Sequence, residues 1–371
     1  MDGDALPELG FYALAGGSLA PRDAIAEVTL AEELGLGSGF LSERLGVKEA
    51  ATVTGAMGAV TTGLGIATGV TNFSTRHPLV TAAHATTMQA LTGGRYTLGL
   101  GRGVDRMMMA MGLKTATTAQ LEDFAGLMRR VTAGEAVMGH DGPAGRWPYL
   151  GISPRPACPT PLLVTAFGPQ TLKLAARAFD AVVLHTFFTD ETTRRCVETV
   201  REECERIGRD PRAVRVWSCY AVVRDDLPGD LVLKKTVGRL ASYLQGYGDL
   251  LVATNGWSPE PLERFRADPV VKSIWGAIDT VGTPRELEHI KNLLPAEWLA
   301  PAALGSATDC ATLVAKQFEL GVDGVIMHGA TPEELAPVIA AYRGIRQAAR
   351  HDGLPRNPGA PRRGLPAAPA Q

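Results

Sequence analysis

Residues 64–103 read LGIATGVTNFSTRHPLVTAAHATTMQALTGGRYTLGLGRG. Leu64–Thr71, small and β-branched, predicts a strand. Pro78 stands where a proline opens a helix, and the stretch Leu79–Leu91 that follows is closed by Gly93-Gly94. Tyr96–Leu100 is β-rich again and runs into a Gly-Arg-Gly turn. Strand, helix, strand is the unit whose repetition builds a parallel sheet.

The same alternation continues in both directions. Upstream, Leu9–Ala15 predicts a strand, and Ile25, Val28, Ala31 and Leu34 recur at helical spacing up to the Gly35-Leu36-Gly37 stop. Gly39–Ser42 is a second short strand and Glu49–Val60 a helix. Downstream come a helix at Ala119–Val131, a strand at Pro161–Ala166, a helix at Thr171–Ala178 and a strand at Ala181–His185. A charged helix at Glu191–Ile207, a strand at Val214–Val223, a helix at Thr308–Leu320, a strand at Gly324–His328 and a helix at Glu333–Ala348 complete the series. Eight strands with helices between them predict an α/β chain folded as a single (β/α)8 TIM barrel over residues 1–350. Two insertions interrupt it: a weakly periodic loop over 139–159 after strand four, and a helical insertion over 231–299 after strand seven. Residues 351–371, rich in Pro, Arg, Gly and Ala with little to bury, predict a disordered tail.

The chain has 371 residues, 37 basic against 39 acidic, and only 20% of it is charged, so it carries no electrostatic footprint for nucleic acid. No uncharged apolar run is long enough to span a membrane, and the N-terminus lacks a leader pattern. The five cysteines (Cys158, Cys196, Cys204, Cys219, Cys310) show no two-residue pairing. These features predict a soluble cytoplasmic protein acting on a small molecule, with no nucleic-acid or membrane partner. The seven histidines have no metal-site spacing and no nucleophile elbow occurs, so no metal is expected. Gly99-x-Gly101-x-Gly103 lacks the third glycine of a dinucleotide fingerprint.

In such barrels the chemistry sits at the C-terminal strand ends. Ser42-Glu43-Arg44, Gly69-Val70-Thr71-Asn72, Gly101-Arg102-Gly103, Phe167-Gly168-Pro169-Gln170, His185-Thr186, Ser218-Cys219-Tyr220 and His328-Gly329 occupy those positions. Two of the turns suit an anion. Gly101-Arg102-Gly103 places a guanidinium beside backbone N–H groups, and Gly168-Pro169-Gln170-Thr171 opens a helix directly after a strand.

Taken in order, these motifs resemble the luciferase-like flavin and deazaflavin oxidoreductases. The resemblance is carried by Thr75-Arg76-His77-Pro78, Gly94-Arg95-Tyr96-x-Leu98-Gly99-Leu100-Gly101-Arg102-Gly103, Gly168-Pro169-Gln170-Thr171-Leu172 and Gly282-Thr283-Pro284-Arg285-Glu286, over about residues 9–345. It implies a barrel that binds coenzyme F420, or FMN as the alternative, and a homodimer. It also implies a non-proline cis peptide at Gly69-Val70, with Thr71 beside it, behind the coenzyme ring. Phe167, Gly168, Pro169 and Gln170 would then meet the coenzyme phosphate, and Gly101, Arg102 and Gly103 the ring edge or phosphate side. The Thr-Arg-His-Pro element favours the deazaflavin.

Sugar-phosphate and alcohol dehydrogenases of that group have a histidine where Arg44 stands, and a carboxylate where Val104 stands, with Asp105 next to it. The resemblance therefore argues against a sugar-phosphate dehydrogenase. It leaves hydride transfer between reduced F420 and an activated C=C or carbonyl, with Glu43, Arg44, His185 and His328 as candidates to polarise the substrate or place a proton. For Glu43 and Arg44 the competing role is an ion pair at the barrel rim. An FMN-dependent monooxygenase fed by a partner reductase and a non-catalytic flavin-binding barrel are the two other readings. Trp147, Tyr149, Tyr243, Tyr247, Trp257 and Trp275 are expected around the acceptor.

Overall fold

The computed structural model describes residues 5–15 and 20–362. Its strands are β1 (Leu6–Tyr12), β2 (Leu36–Leu41), β3 (Gly65–Thr68), β4 (Thr71–Asn72), β5 (Tyr96–Gly101) and β6 (Val137–Gly142). They continue as β7 (Gly145–Leu150), β8 (Leu162–Ala166), β9 (Ala181–Leu184), β10 (Arg215–Arg224), β11 (Ala303–Gly305) and β12 (Gly324–His328). The chain of pairings β1–β2–β3–β5–β8–β9–β10–β12 is parallel throughout and returns to β1, so eight strands close the predicted barrel.

Two apolar layers follow from strand alternation. Tyr12, Phe40, Ala67, Leu163, Ala181, Val183, Trp217, Cys219 and Ile326 fill the barrel interior. The larger cluster lies between the strands and the surrounding helices, where Phe11, Leu41, Ile66, Leu98 and Val182 meet Val28, Met57, Ala85 and Leu172. Inside, one large side chain is matched by a glycine across the sheet. A Cβ on Gly324 would sit 2.4 Å from the Trp217 ring, whose register partner it is.

Three sequence expectations need correction. The loop over 139–159 contains a hairpin: β6 and β7 pair antiparallel, Val137 with Leu150 and His140 with Trp147. Gly139, Gly142, Gly145 and Pro148 broke its alternation in the sequence, and the His140 imidazole stacks on Trp147 at 5.6 Å while bonding Asp123 at 3.0 Å. Strand three stops at Thr68, and pairing to β5 resumes at β4 after Gly69 and Val70, whose peptide bond is cis.

Third, residues 351–362 are not a free tail but lie beneath the N-terminal end of the barrel. Asn357 is buried, its amide nitrogen donating to Gly94 O and Tyr96 O at 2.8 Å each. Arg215 donates to Pro355 O and Asn357 O, and the Trp217 indole to Pro358 O at 2.9 Å. The segment is held by polar main-chain groups rather than apolar side chains, which composition does not reveal. The rest of the predicted tail, 363–371, lies outside the described residues.

The insertion over 231–299 is helical as expected and includes Arg239–Asn255, Glu260–Ala267 and Pro284–Leu293. Among the described residues no helix is long and apolar enough to cross a membrane.

Candidate active site

At the end of β2, the Glu43 side chain is almost fully buried and accepts five hydrogen bonds. They come from Ala50 N (3.0 Å), Thr71 Oγ1 (2.7 Å), Asn72 N (3.3 Å) and both terminal nitrogens of Arg76. Burial works to raise its pKa, but the Arg76, Ala50 and Thr71 bonds win and hold its carboxyl below the usual range. Glu43 therefore ties the end of β2 to β4 and to the start of the helix Ala50–Val60, and has no proton to give. Its ion-pair partner is Arg76, not Arg44. The Arg44 guanidinium is exposed and has no hydrogen bond or ion pair among the described residues.

The wall formed by Gly69, Val70 and Thr71 explains the glycines across from it. A Cβ on Gly69 would lie 3.0–3.1 Å from the Tyr12 ring and hydroxyl, one on Gly101 2.4 Å from Val70 Cγ2, and one on Gly99 1.9 Å from Thr68 O. Two of the three glycines in Gly99-x-Gly101-x-Gly103 thus let β5 approach this wall closely, rather than serving a phosphate. Gly103 has φ +77, left-handed backbone that favours glycine, and an added Cβ would meet Asn72 and Met108.

Arg102 is different. Its guanidinium reaches across from the end of β5 and donates to Thr171 Oγ1 at 3.0 Å and Thr118 Oγ1 at 3.3 Å, with no carboxylate partner. Thr171 lies in the first turn of the helix Pro169–Ala178, whose N-cap Gly168 supplies no side-chain cap and faces open space where its Cβ would be. An uncapped helix start under an unpaired guanidinium is a fitting seat for a phosphate.

The remaining candidates meet over the other half of the barrel mouth. Phe167 packs on His185 with ring centroids 3.9 Å apart, and Tyr247 lies 5.5 Å from Phe167. Tyr243 lies 4.6 Å from His185, and its hydroxyl is 3.3 Å from Nε2 of His328. Tyr12 closes the group edge-on to His328 at 5.4 Å. Nδ1 of His185 is 2.9 Å from Thr186 O, a group that only accepts, so Nδ1 carries the proton.

Burial pushes the His185 imidazole down to about 4, leaving Nε2 an acceptor at neutral pH. His328 is held well below its ordinary value by burial, then by Arg239, His185, Lys48 and Arg44, and its buried Nδ1 has no partner. Burial raises the Tyr243 phenol to about 12, so it remains an O–H donor.

Of the aromatics expected around the acceptor, only Tyr243 and Tyr247 join this group. Trp257 stacks on Trp298 at 4.8 Å within the insertion, Trp147 lies against His140 and His77, and Tyr149 and Trp275 are exposed. Sequence reasoning passed over three residues of the mouth: Tyr12, Lys48 and Arg239. Tyr12 ends β1, but the strand expected over Leu9–Ala15 put it in mid-strand and so away from the mouth. Arg239, in an ion pair with Asp279 at 2.7 Å, and Lys48, in a loop, have no motif to mark them. A cavity of about 500 Å³ lies to one side, lined by Phe73, His77, Lys114, Gln120 and Trp147 rather than by the strand ends around Tyr243 and His328.

The family model described as luciferase-like monooxygenase matches residues 8–287. A 5,10-methylenetetrahydromethanopterin reductase of Methanolobus tindarius is 26% identical over 272 residues, covering 71% of this chain and 78% of that protein. An F420-dependent glucose-6-phosphate dehydrogenase of Beutenbergia cavernae is 34% identical over 188 residues, 47% of this chain and 55% of that one. Among solved structures, the coenzyme F420-dependent tetrahydromethanopterin reductase of Methanopyrus kandleri superposes with a TM-score of 0.77 at 17% identity, covering 91% of this chain and 99% of that chain. That last likeness is one of fold.

Proposed function

The chain belongs to the luciferase-like monooxygenase family, and from that premise we propose that it is a coenzyme F420-dependent oxidoreductase. It would pass a hydride between the reduced deazaflavin and an organic acceptor bearing an activated C=C or a carbonyl. The observation that carries this reading is the Arg102–Thr171 contact over the uncapped helix at Gly168, a phosphate seat beside the Gly69-Val70 wall. The relatives whose names specify F420, both glucose-6-phosphate dehydrogenases, favour that coenzyme over FMN.

When bound, the reduced deazaflavin would supply the hydride; the barrel supplies position, exclusion of water and a proton. Arg102, Gly168, Gln170 and Thr171 would hold the phosphate, with Gly69, Val70 and Thr71 forming the wall behind the ring. His185 cannot act as an acid, because its one proton is committed to Thr186 O. Tyr243 with His328 is the better proton source, a phenol that stays protonated beside an imidazole that stays neutral. Glu43 supports the wall through Thr71 and Asn72 and takes no part in proton transfer.

Equilibrium titration of the purified protein with F420 and with FMN tests the assignment. Micromolar binding of F420 with little of FMN is expected, and binding of FMN alone overturns it in favour of a flavin monooxygenase. Arg102→Ala should weaken F420 binding about 10- to 100-fold, the loss expected for a charged hydrogen-bonding group.

A further inference from the structure

Arg44 and Lys48 bracket one small loop at the mouth of the barrel. The loop is closed by Arg44 N donating to Lys48 O at 3.1 Å and Lys48 N to Arg44 O at 2.9 Å. Backbone bonds thus fix the two cations as near neighbours, which like charges do not choose for themselves. Neither has a carboxylate within ion-pair distance among the described residues. The Lys48 ammonium is buried, and among the described residues its hydrogen bond is to Leu14 O at 3.0 Å.

The nearby carboxylates are committed elsewhere. Glu43 is consumed by Arg76, Thr71 and backbone N–H groups, Glu27 accepts from Leu14 N at 2.7 Å, and Asp279 is held by Arg239 and Ser242. Both cations act on His328, and Arg44 also on Tyr247, so their field falls on the aromatic half of the site. The whole chain carries a formal −2, so this local excess is not a general basic character. A buried ammonium with no carboxylate partner among the described residues, set beside a second cation, is unfavourable, and an anion docked there would offset it.

We propose that the acceptor carries an oxyanion, a carboxylate or a phosphate, which docks between Arg44 and Lys48 and places the reducible part of the molecule against Tyr243 and His328. This rests on the hydride-transfer reading and names the substrate class for the same site. The phosphate seat at Arg102 is separate, lying across the mouth at the ends of β5 and β8.

Calorimetric titration of the full-length protein tests it, using a panel of alkyl and aryl carboxylates and phosphomonoesters, each paired with its neutral amide or methyl ester. At least one acid should bind tenfold or more tightly than its neutral partner, with the preference falling at 0.5 M salt. In Arg44→Gln the preference should drop below about threefold while F420 binding is unchanged; Arg44 is exposed, so this variant is expected to fold. Lys48→Met provides a second variant, whose circular dichroism reports its fold.

The carboxylate and phosphomonoester arms show which oxyanion is taken. No acid preferred over its neutral partner in any pair, or a preference that survives in Arg44→Gln, overturns the proposal. Acid preference without F420 binding would sink the coenzyme assignment and leave this subsite standing; F420 binding without acid preference does the reverse.

Discussion

An ammonium group loses hydration when it is buried, and among the described residues no carboxylate lies within ion-pair distance of Lys48 to make up the loss. Burial first, then Arg44 and Arg239, lower its pKa from 10.5 to about 8, with Glu27 opposing weakly. Between those two values the unfolded chain holds the proton and the folded one does not. Stability therefore rises with pH across that window, and Lys48 is a burden below pH 8. Lys48→Met should raise stability at pH 7 by roughly 1–2 kcal/mol, less than the full shift because the bond to Leu14 O is lost. Urea denaturation of both proteins at pH 7, 9 and 10.5 checks this, and the advantage should shrink toward the highest pH. A variant less stable at pH 7 would show that the lysine is there for the fold rather than for a ligand. The sequence could not have shown this. Lys48 sits five residues beyond Glu43 in a loop, and only folding brings its charge to bear on His328.

Among the elements, the end of β2, the strand β4 and the helix Ala50–Val60 are joined through one arginine. Arg76 donates to Glu43 and Thr71, and also to Glu49, the N-cap of that helix. Arg76→Met would leave Glu43 buried and unpaired, a loss of roughly 2–4 kcal/mol, with Glu49 adding little because solvent screens it. The Glu43 pKa is depressed from 4.5, so its contribution is present above that value and fades as pH falls below it. Urea midpoints at pH 7, 5 and 3.5 should therefore show the variant far below the parent at pH 7, with the gap narrowing as the pH falls below 4.5. A gap that stays constant with pH would put the loss on packing instead.

The Thr75-Arg76-His77-Pro78 motif was legible in the sequence, and so was Pro78 as a helix start. The partner of Arg76 was not, because Glu43 lies 33 residues earlier and only strand order brings them together. Alternation of apolar runs reports which elements exist, and hence the barrel. The division of labour among Gly99, Gly101 and Arg102 depends on what faces each of them, which one chain read linearly does not contain.

On the scale of the molecule, the two ends of the barrel are built on opposite terms. The C-terminal end carries Arg44, Lys48 and Arg102, cations with no carboxylate partner among the described residues. The N-terminal end is closed by residues 351–362, whose Asn357, with Thr97, completes the hydrogen bonding of strand ends that would otherwise face water. Arg215 is 1% exposed and spends three donor contacts on Pro7, Pro355 and Asn357 carbonyls, so removing the segment would strip a buried guanidinium of two of them. Gly65 marks how closely the segment is fitted, since a Cβ there would lie 2.0 Å from Arg356 O.

Ending the chain at Arg350 should therefore lower stability by more than about 3 kcal/mol, the sum of lost buried hydrogen bonds and newly exposed barrel floor. Asn357→Ala, which leaves the rest of the segment in place, should cost about 1–3 kcal/mol. Urea denaturation of the two variants checks both figures. Because the segment lies at the far end from Arg102 and Tyr243, Asn357→Ala should leave the F420 dissociation constant within a factor of two. A truncated chain as stable as the parent would show that the strand ends solvate freely, and that the polar contacts beneath the barrel add nothing to the fold.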